Sequence, residues 1–214
     1  QKGVHLGKQA LVFDEIREIA GSGDYRAFAS IFDKALKEWQ LISPECGFVD
    51  GKLISDTGEL VFDPEHAIFE VHTPHCGYFS GAPKKSLHLS EIIEIQSGNE
   101  RISVSLLPMK EKDLEQAEEY ILTAMGTTGM DQTTYNEGVQ LMGVPFTSVH
   151  FAGKLYVEPL EGSLLVKANE ASLTALDPTG NEIRSFTGKK TEKGIEFSIT
   201  GEIPAVQYYL KVEK

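Results

Sequence analysis

The chain has 214 residues, 41% of them hydrophobic and 24% charged, and its 20 Lys+Arg against 32 Asp+Glu give a formal net charge of −12. These are ordinary globular proportions and exclude a disordered, collagenous or coiled-coil chain. The acid excess argues against nucleic acid or anionic lipid as a partner, and no stretch approaches the ~18 apolar residues of a membrane-crossing helix.

Residues 1–50 read as a helical linker segment, and no signal-peptide pattern follows Gln1. From Gln9 to Ala20, Leu11, Val12, Ile16 and Ile19 share one helical face, and the run stops at Gly21-Ser22-Gly23. Asp24 then caps a second helix, whose apolar set is Ala27, Phe28, Ile31, Phe32, Ala35, Leu36 and Trp39. Such a stripe must be buried, so Trp39 is expected to pack in a core. Two cysteines, Cys46 and Cys76, do not make a disulfide framework; one bridge and two free thiols both fit.

From Gly51 the period changes, and residues 51–214 read as one antiparallel β-sandwich domain. Short runs rich in β-branched and aromatic residues alternate with Gly, Pro, Asp and Asn turns. Expected strands are Lys52–Ser55, Glu59–Asp63, Ala67–His72, Gly77–Gly81, Arg101–Leu107, Tyr120–Met125, Lys154–Glu158, Ser163–Lys167, Ser172–Leu176, Glu182–Phe186, Gly194–Ile199 and Gln207–Val212. Nothing after residue 51 supplies clear crossover helices, which disfavours a parallel sheet. Lys110–Glu119 reads as a solvated turn of helix or a loop, and Gly126–His150 as a long polar loop of the kind that is usually functional or mobile.

Catalytic motifs are few. Asp56-Thr57-Gly58 invites an aspartic-protease reading, but that chemistry needs two such loops, and Glu59 follows where Ser or Thr is usual. A hairpin turn is the better reading. His72, His75 and Cys76 offer zinc-compatible atoms close together, with His66 one strand away, yet the four-ligand spacing is absent and no metal site is assigned. There is no nucleophile elbow, Walker loop or dinucleotide fingerprint, so no catalytic residue and no cofactor are assigned. Tyr78 and Phe79 should face opposite sides of a strand, as should Tyr208 and Tyr209. Tyr135, in the polar loop, is the best candidate for an exposed aromatic.

Three blocks resemble a known family. The first is Ser55-Asp-Thr-Gly-Glu-Leu-Val-Phe-Asp63, then Ala67-Ile-Phe-Glu-Val-His-Thr-Pro74 and Gly77-Tyr-Phe-Ser-Gly81. The second is Tyr120-Ile-Leu-Thr-Ala-Met-Gly126 with Thr128-Gly-Met130 and Thr134-Tyr-Asn136. The third joins Val144-Pro145, Val157-Glu-Pro159 and Ala175-Leu-Asp-Pro-Thr-Gly180. In order and spacing they resemble the C-terminal β-sandwich module that follows the (β/α)₈ catalytic barrel of bacterial, cellulase-like glycoside hydrolases. Phe62 stands where Trp is common in that family, and Tyr135 where Trp often precedes Asn.

The resemblance spans residues 52–212 and implies a non-catalytic accessory module that braces the barrel, with the long loop reaching the rim of the substrate cleft. It implies the preceding barrel of the same polypeptide as partner, with an oligosaccharide or polysaccharide as a second, and an exported or cell-surface setting. The alternative is a carbohydrate-binding module in which Tyr135, Asn136, Gln132, Asp131 and Tyr78 contact sugar.

Overall fold

The structure, a computed structural model, describes residues 25–83, 86–110, 112–132, 134–141, 144–150 and 152–213. It is mainly β with antiparallel sheets, as the strand-and-turn pattern requires. Two compact units divide the chain, Gln1–Val71 and His72–Lys214. The change of period at Gly51 is therefore not the boundary between compact units.

The first unit holds helix α1 (Tyr25–Glu38) and strands β1 (Gly47–Val49), β2 (Lys52–Ile54), β3 (Leu60–Asp63) and β4 (Ile68–Thr73), whose last residues enter the second unit. The helix buries Ala35 and half-buries Trp39. It ends on Gln40, whose φ of 56° is left-handed, with Leu41 N–H donating back to the Leu36 carbonyl at 2.9 Å. Asp33 pairs with Lys37 at 2.8 Å and also accepts the Phe48 N–H at 2.8 Å, tying the helix to β1. Among the described residues this is the one helix, so a two-helix segment is not found; the expected helix Gln9–Ala20 lies outside them. The end of residues 1–50 is also strand, not helix. Asp50 and Gly51, both at positive φ, make the tight turn that folds β1 onto β2.

Ser55 and Thr57, not Asp56, cap the next turn: Ser55 Oγ accepts the Leu60 N–H at 3.0 Å and Thr57 Oγ1 accepts the Glu59 N–H at 3.4 Å. The Asp-Thr-Gly triplet is thus an ordinary hairpin.

The second unit continues with β5 (Cys76–Gly81), β6 (Leu87–His88), β7 (Ile93–Ser97), β8 (Ile102–Pro108), β9 (Glu119–Met130), β10 (Thr134–Leu141), β11 (Val144–His150), β12 (Leu155–Pro159), β13 (Gly162–Val166), β14 (Glu170–Leu176), β15 (Glu182–Phe186), β16 (Lys189–Thr191), β17 (Gly194–Ile199) and β18 (Gln207–Glu213). One sheet here runs β5-β8-β9-β18-β14-β15, and a second runs β16-β17-β13-β7-β6. Each buries one face. Val104, Leu106, Tyr120, Leu122, Leu173, Tyr208 and Leu210 alternate with half-exposed residues in the first; Ile93, Ile95, Leu164, Val166 and Phe197 do so in the second. Phe79 and Tyr208 point inward and Tyr78 and Tyr209 outward, as the alternation predicts.

Two segments differ from expectation. Between β8 and β9 the described residues turn at Leu114–Gln116, but Leu114 and Ala117 are buried. The buried Tyr120 hydroxyl reaches the carbonyls of both, each at 2.7 Å, and pins the turn to the sheet. Among the described residues, Gly126–His150 is mostly strand and not a loop. It is the end of β9 followed by the β10–β11 hairpin.

Candidate functional site

β8 pairs with β9 only as far as Met125, opposite Ser103. Beyond it β9 continues with β12, as Thr128 faces Val157, Gly129 faces Tyr156 and Met130 faces Leu155. The pairing does not stop there. Asp131 N–H donates to the Lys154 carbonyl at 3.2 Å, Gln132 N–H donates to the Ala152 carbonyl at 3.1 Å, and Thr134 then faces His150. The far part of β9 and β12 thus form a two-stranded arm, and β10 and β11 pair as a separate two-stranded sheet as far as Leu141 opposite Val144. Gly153, at a φ of 85°, makes a bend between β11 and β12. There the Asp131 carboxylate accepts the Lys154 N–H at 2.8 Å.

The arm carries apolar side chains on both faces. Leu155 is 69% exposed and Tyr156 51%. Met130 and Val157 border Leu155 on its face. The Tyr156 ring lies over Gly129; a Cβ at Gly129 would sit 2.6 Å from Tyr156 Cζ, so a larger residue there would push the ring aside. At the root, Glu158 accepts the Thr127 N–H at 2.8 Å. This bond, helped by the Asn99 amide, holds Glu158 below the usual carboxylate range. Buried Asn99 also donates to the Pro159 carbonyl at 3.1 Å and accepts the Glu161 N–H at 2.9 Å, anchoring the arm to the sheet.

The expected glycan contacts divide. Asp131 and Gln132 are exposed at the bend, and Tyr135 and Asn136 follow in β10 opposite Val149 and Ser148; the side chains of Tyr135 and Asn136 lie outside the described residues. Tyr78 is elsewhere. It is half-buried on β5, its hydroxyl 2.9 Å from Ser103 Oγ, in a cross-strand row with Ser105 and Thr123. Thr123 lies roughly 26 Å along β9 from Asp131, so Tyr78 does not join the others. Tyr156 was missed because its neighbour Gly129 is far away in sequence. Only the register brings the ring and the glycine together.

A concavity of about 610 Å³ opens among the turns of the second unit. Pro74, Leu89 and Leu114 line it, with His72 and His88. His75 Nδ1 lies 3.3 Å from Asp113 Oδ1, and His88 Nδ1 3.8 Å from Glu94 Oε2. Among the described residues no three His, Cys, Asp or Glu side chains gather as a metal site, and Cys46 and Cys76 are free thiols. Burial pushes the Cys76 thiol up, away from the thiolate form.

No protein family, curated protein or solved structure was found to match the chain.

Proposed function

We propose that the chain is a non-catalytic accessory module of a multidomain glycoside hydrolase, in which the two sheets of the second unit pack face to face as a β-sandwich. The buried alternation on one face of each sheet supports the sandwich. The single observation that favours the module reading is the arm. A two-stranded ribbon with apolar side chains on both faces has little stability by itself and gains it against another surface. Rooted in a rigid sheet through Asn99 and Glu158, it places Tyr156, Asp131 and Gln132 at a distance from the core, where a cleft rim contributed to a neighbouring barrel would need them.

The test has two parts. The reading frame around this sequence should encode a (β/α)₈ barrel ahead of Gln1, and the purified chain should leave aryl glycosides intact. Turnover by the chain alone, or a start codon and signal peptide directly upstream, would sink the proposal.

The half-exposed ring of Tyr156 favours a second reading, a carbohydrate-binding module. An aromatic face beside the polar groups of Asp131 and Gln132 suits stacking against a sugar ring. In that case a glycan array gives specific binding, and Tyr156→Ala weakens it by about 1 kcal/mol or more. Tyr78→Phe leaves it unchanged.

A further inference from the structure

Three turns of the second unit, β4–β5, β6–β7 and β8–β9, meet the end of β13 around the concavity of about 610 Å³. Hydrogen bonds between these segments hold its walls. Leu114 N–H donates to the Pro74 carbonyl at 2.7 Å, and Lys167 N–H to the Ile92 carbonyl at 2.8 Å. Glu91 N–H donates to the Glu115 carboxylate at 3.2 Å. A preformed space of this size is that of a small-molecule site, which spans roughly 300–1,000 Å³.

The lining decides what fits. The floor is apolar, made by Pro74 with Leu89 and Leu114, both almost fully buried. The rim carries Glu91, Asp113 and Glu115 against a single lysine, Lys167, and two histidines. With histidine neutral, three negative charges face one positive charge, in a chain whose formal net charge is −12. The Lys167 ammonium already donates to the Glu91 carbonyl at 3.1 Å. Carboxylates set around apolar walls focus their field into a concavity and concentrate cations there, while an anion is repelled. Among the described residues no Phe, Tyr or Trp lines the space, so a sugar has no aromatic face to stack on. A cationic head on a short apolar stem suits both surfaces: the stem covers the leucines and the head meets the carboxylates.

We propose that this concavity binds an organic cation, an ammonium or guanidinium group on an apolar stem. The site is separate from the arm and does not rest on the module reading.

Nuclear magnetic resonance titration of the 214-residue chain tests it, with n-butylguanidinium, neutral n-pentanol and the anion valerate as probes. The guanidinium should shift the methyl signals of Leu89 and Leu114 with a dissociation constant on the order of 1 mM. The other two should bind about fivefold or more weakly, and added salt should weaken the cation alone. Glu91→Gln combined with Glu115→Gln should weaken the cation about threefold or more. That variant should melt at the parent temperature, since glutamine keeps an oxygen to accept the Glu91 N–H. A capped Gly-Arg-Gly tripeptide carries the same head on a protein backbone. Tighter binding of the tripeptide than of n-butylguanidinium assigns the site to an Arg side chain of a partner, and binding no tighter assigns it to a free small cation. No shift at Leu89 and Leu114, equal binding of the first three probes, or a preference for valerate overturns the proposal. So does an unchanged affinity for the cation in the folded double variant.

Discussion

Tyr120 holds a buried turn with one hydroxyl, and its removal tests how much that matters. Tyr120→Phe keeps the ring but leaves the Leu114 and Ala117 carbonyls without that donor, so thermal unfolding should show a loss of about 1–3 kcal/mol. Burial, with Glu115 and Glu118 nearby, pushes the Tyr120 hydroxyl up to about 12; burial also pushes Tyr208 up to about 12. A phenol whose folded pKa is raised stabilises the fold fully below its unfolded value of about 10. That contribution is lost as pH rises from about 10 to 12. Alkaline titration followed at the tyrosinate band should show these two ionising last, with the melting temperature falling over the same window.

Asp177 behaves in the opposite sense. The Thr179 hydroxyl, the Asn181 side chain and the Asn181 and Thr179 N–H groups all donate to its carboxylate, holding it well below the usual range. Its stabilisation is present above the ordinary carboxylate pKa of about 4 and lost as pH falls through the depressed value. Asp177→Ala should therefore melt earlier than the parent at pH 7, with the gap closing on acidification. Here the sequence was clear, because Asp-Pro-Thr-Gly-Asn carries its own turn chemistry within five residues.

At the scale of elements, the arm is the segment that sequence reasoning misread. A strand is recognised by alternation, and alternation comes from one buried face. The far part of β9 has no such face: Thr127 and Thr128 are exposed side by side, and Gly126 and Gly129 weaken the pattern further. Its pairing is set by register with β12, which no local window contains. Because the described buried side chains of the two sheets lie outside residues 133–151, that segment should be dispensable for folding. Replacing residues 133–151 by a short Asn-Gly turn should leave the melting temperature within a few degrees of the parent, as expected for a change of under ~1 kcal/mol. A collapse of the transition would show that the hairpin carries part of the core. The helix at Tyr25–Glu38 is the contrasting case, since four-residue apolar spacing over fourteen positions is enough to specify it.

For the whole molecule, the mainly β, antiparallel character was legible from short β-branched runs and close turns, and most strands fall where those runs do. Strands β1, β6, β7, β10, β11 and β16 were not, and of these β1, β6 and β16 are only two or three residues long. The boundary between compact units at Val71 was also hidden: it falls inside the continuous run Ile68–Thr73, where no composition change marks it. Of the candidate site, Asp131 and Gln132 were reachable from their polar surroundings, whereas Tyr156 needed the cross-strand register.

The order of strands has a consequence for biosynthesis. β18 is the last of the described strands yet lies inside its sheet, between β9 and β14. Tyr208, Leu210 and Val212 complete the core from that position. Until they leave the ribosome, β9 and β14 each have an open edge toward the missing strand, facing a gap lined with hydrophobic groups. At roughly 5–20 residues per second, the stretch from β14 to β18 keeps that gap open for about 2–8 s. Nascent chains stalled before Gln207 should accordingly be protease-sensitive and bound by holding chaperones, and chains released after Glu213 should not.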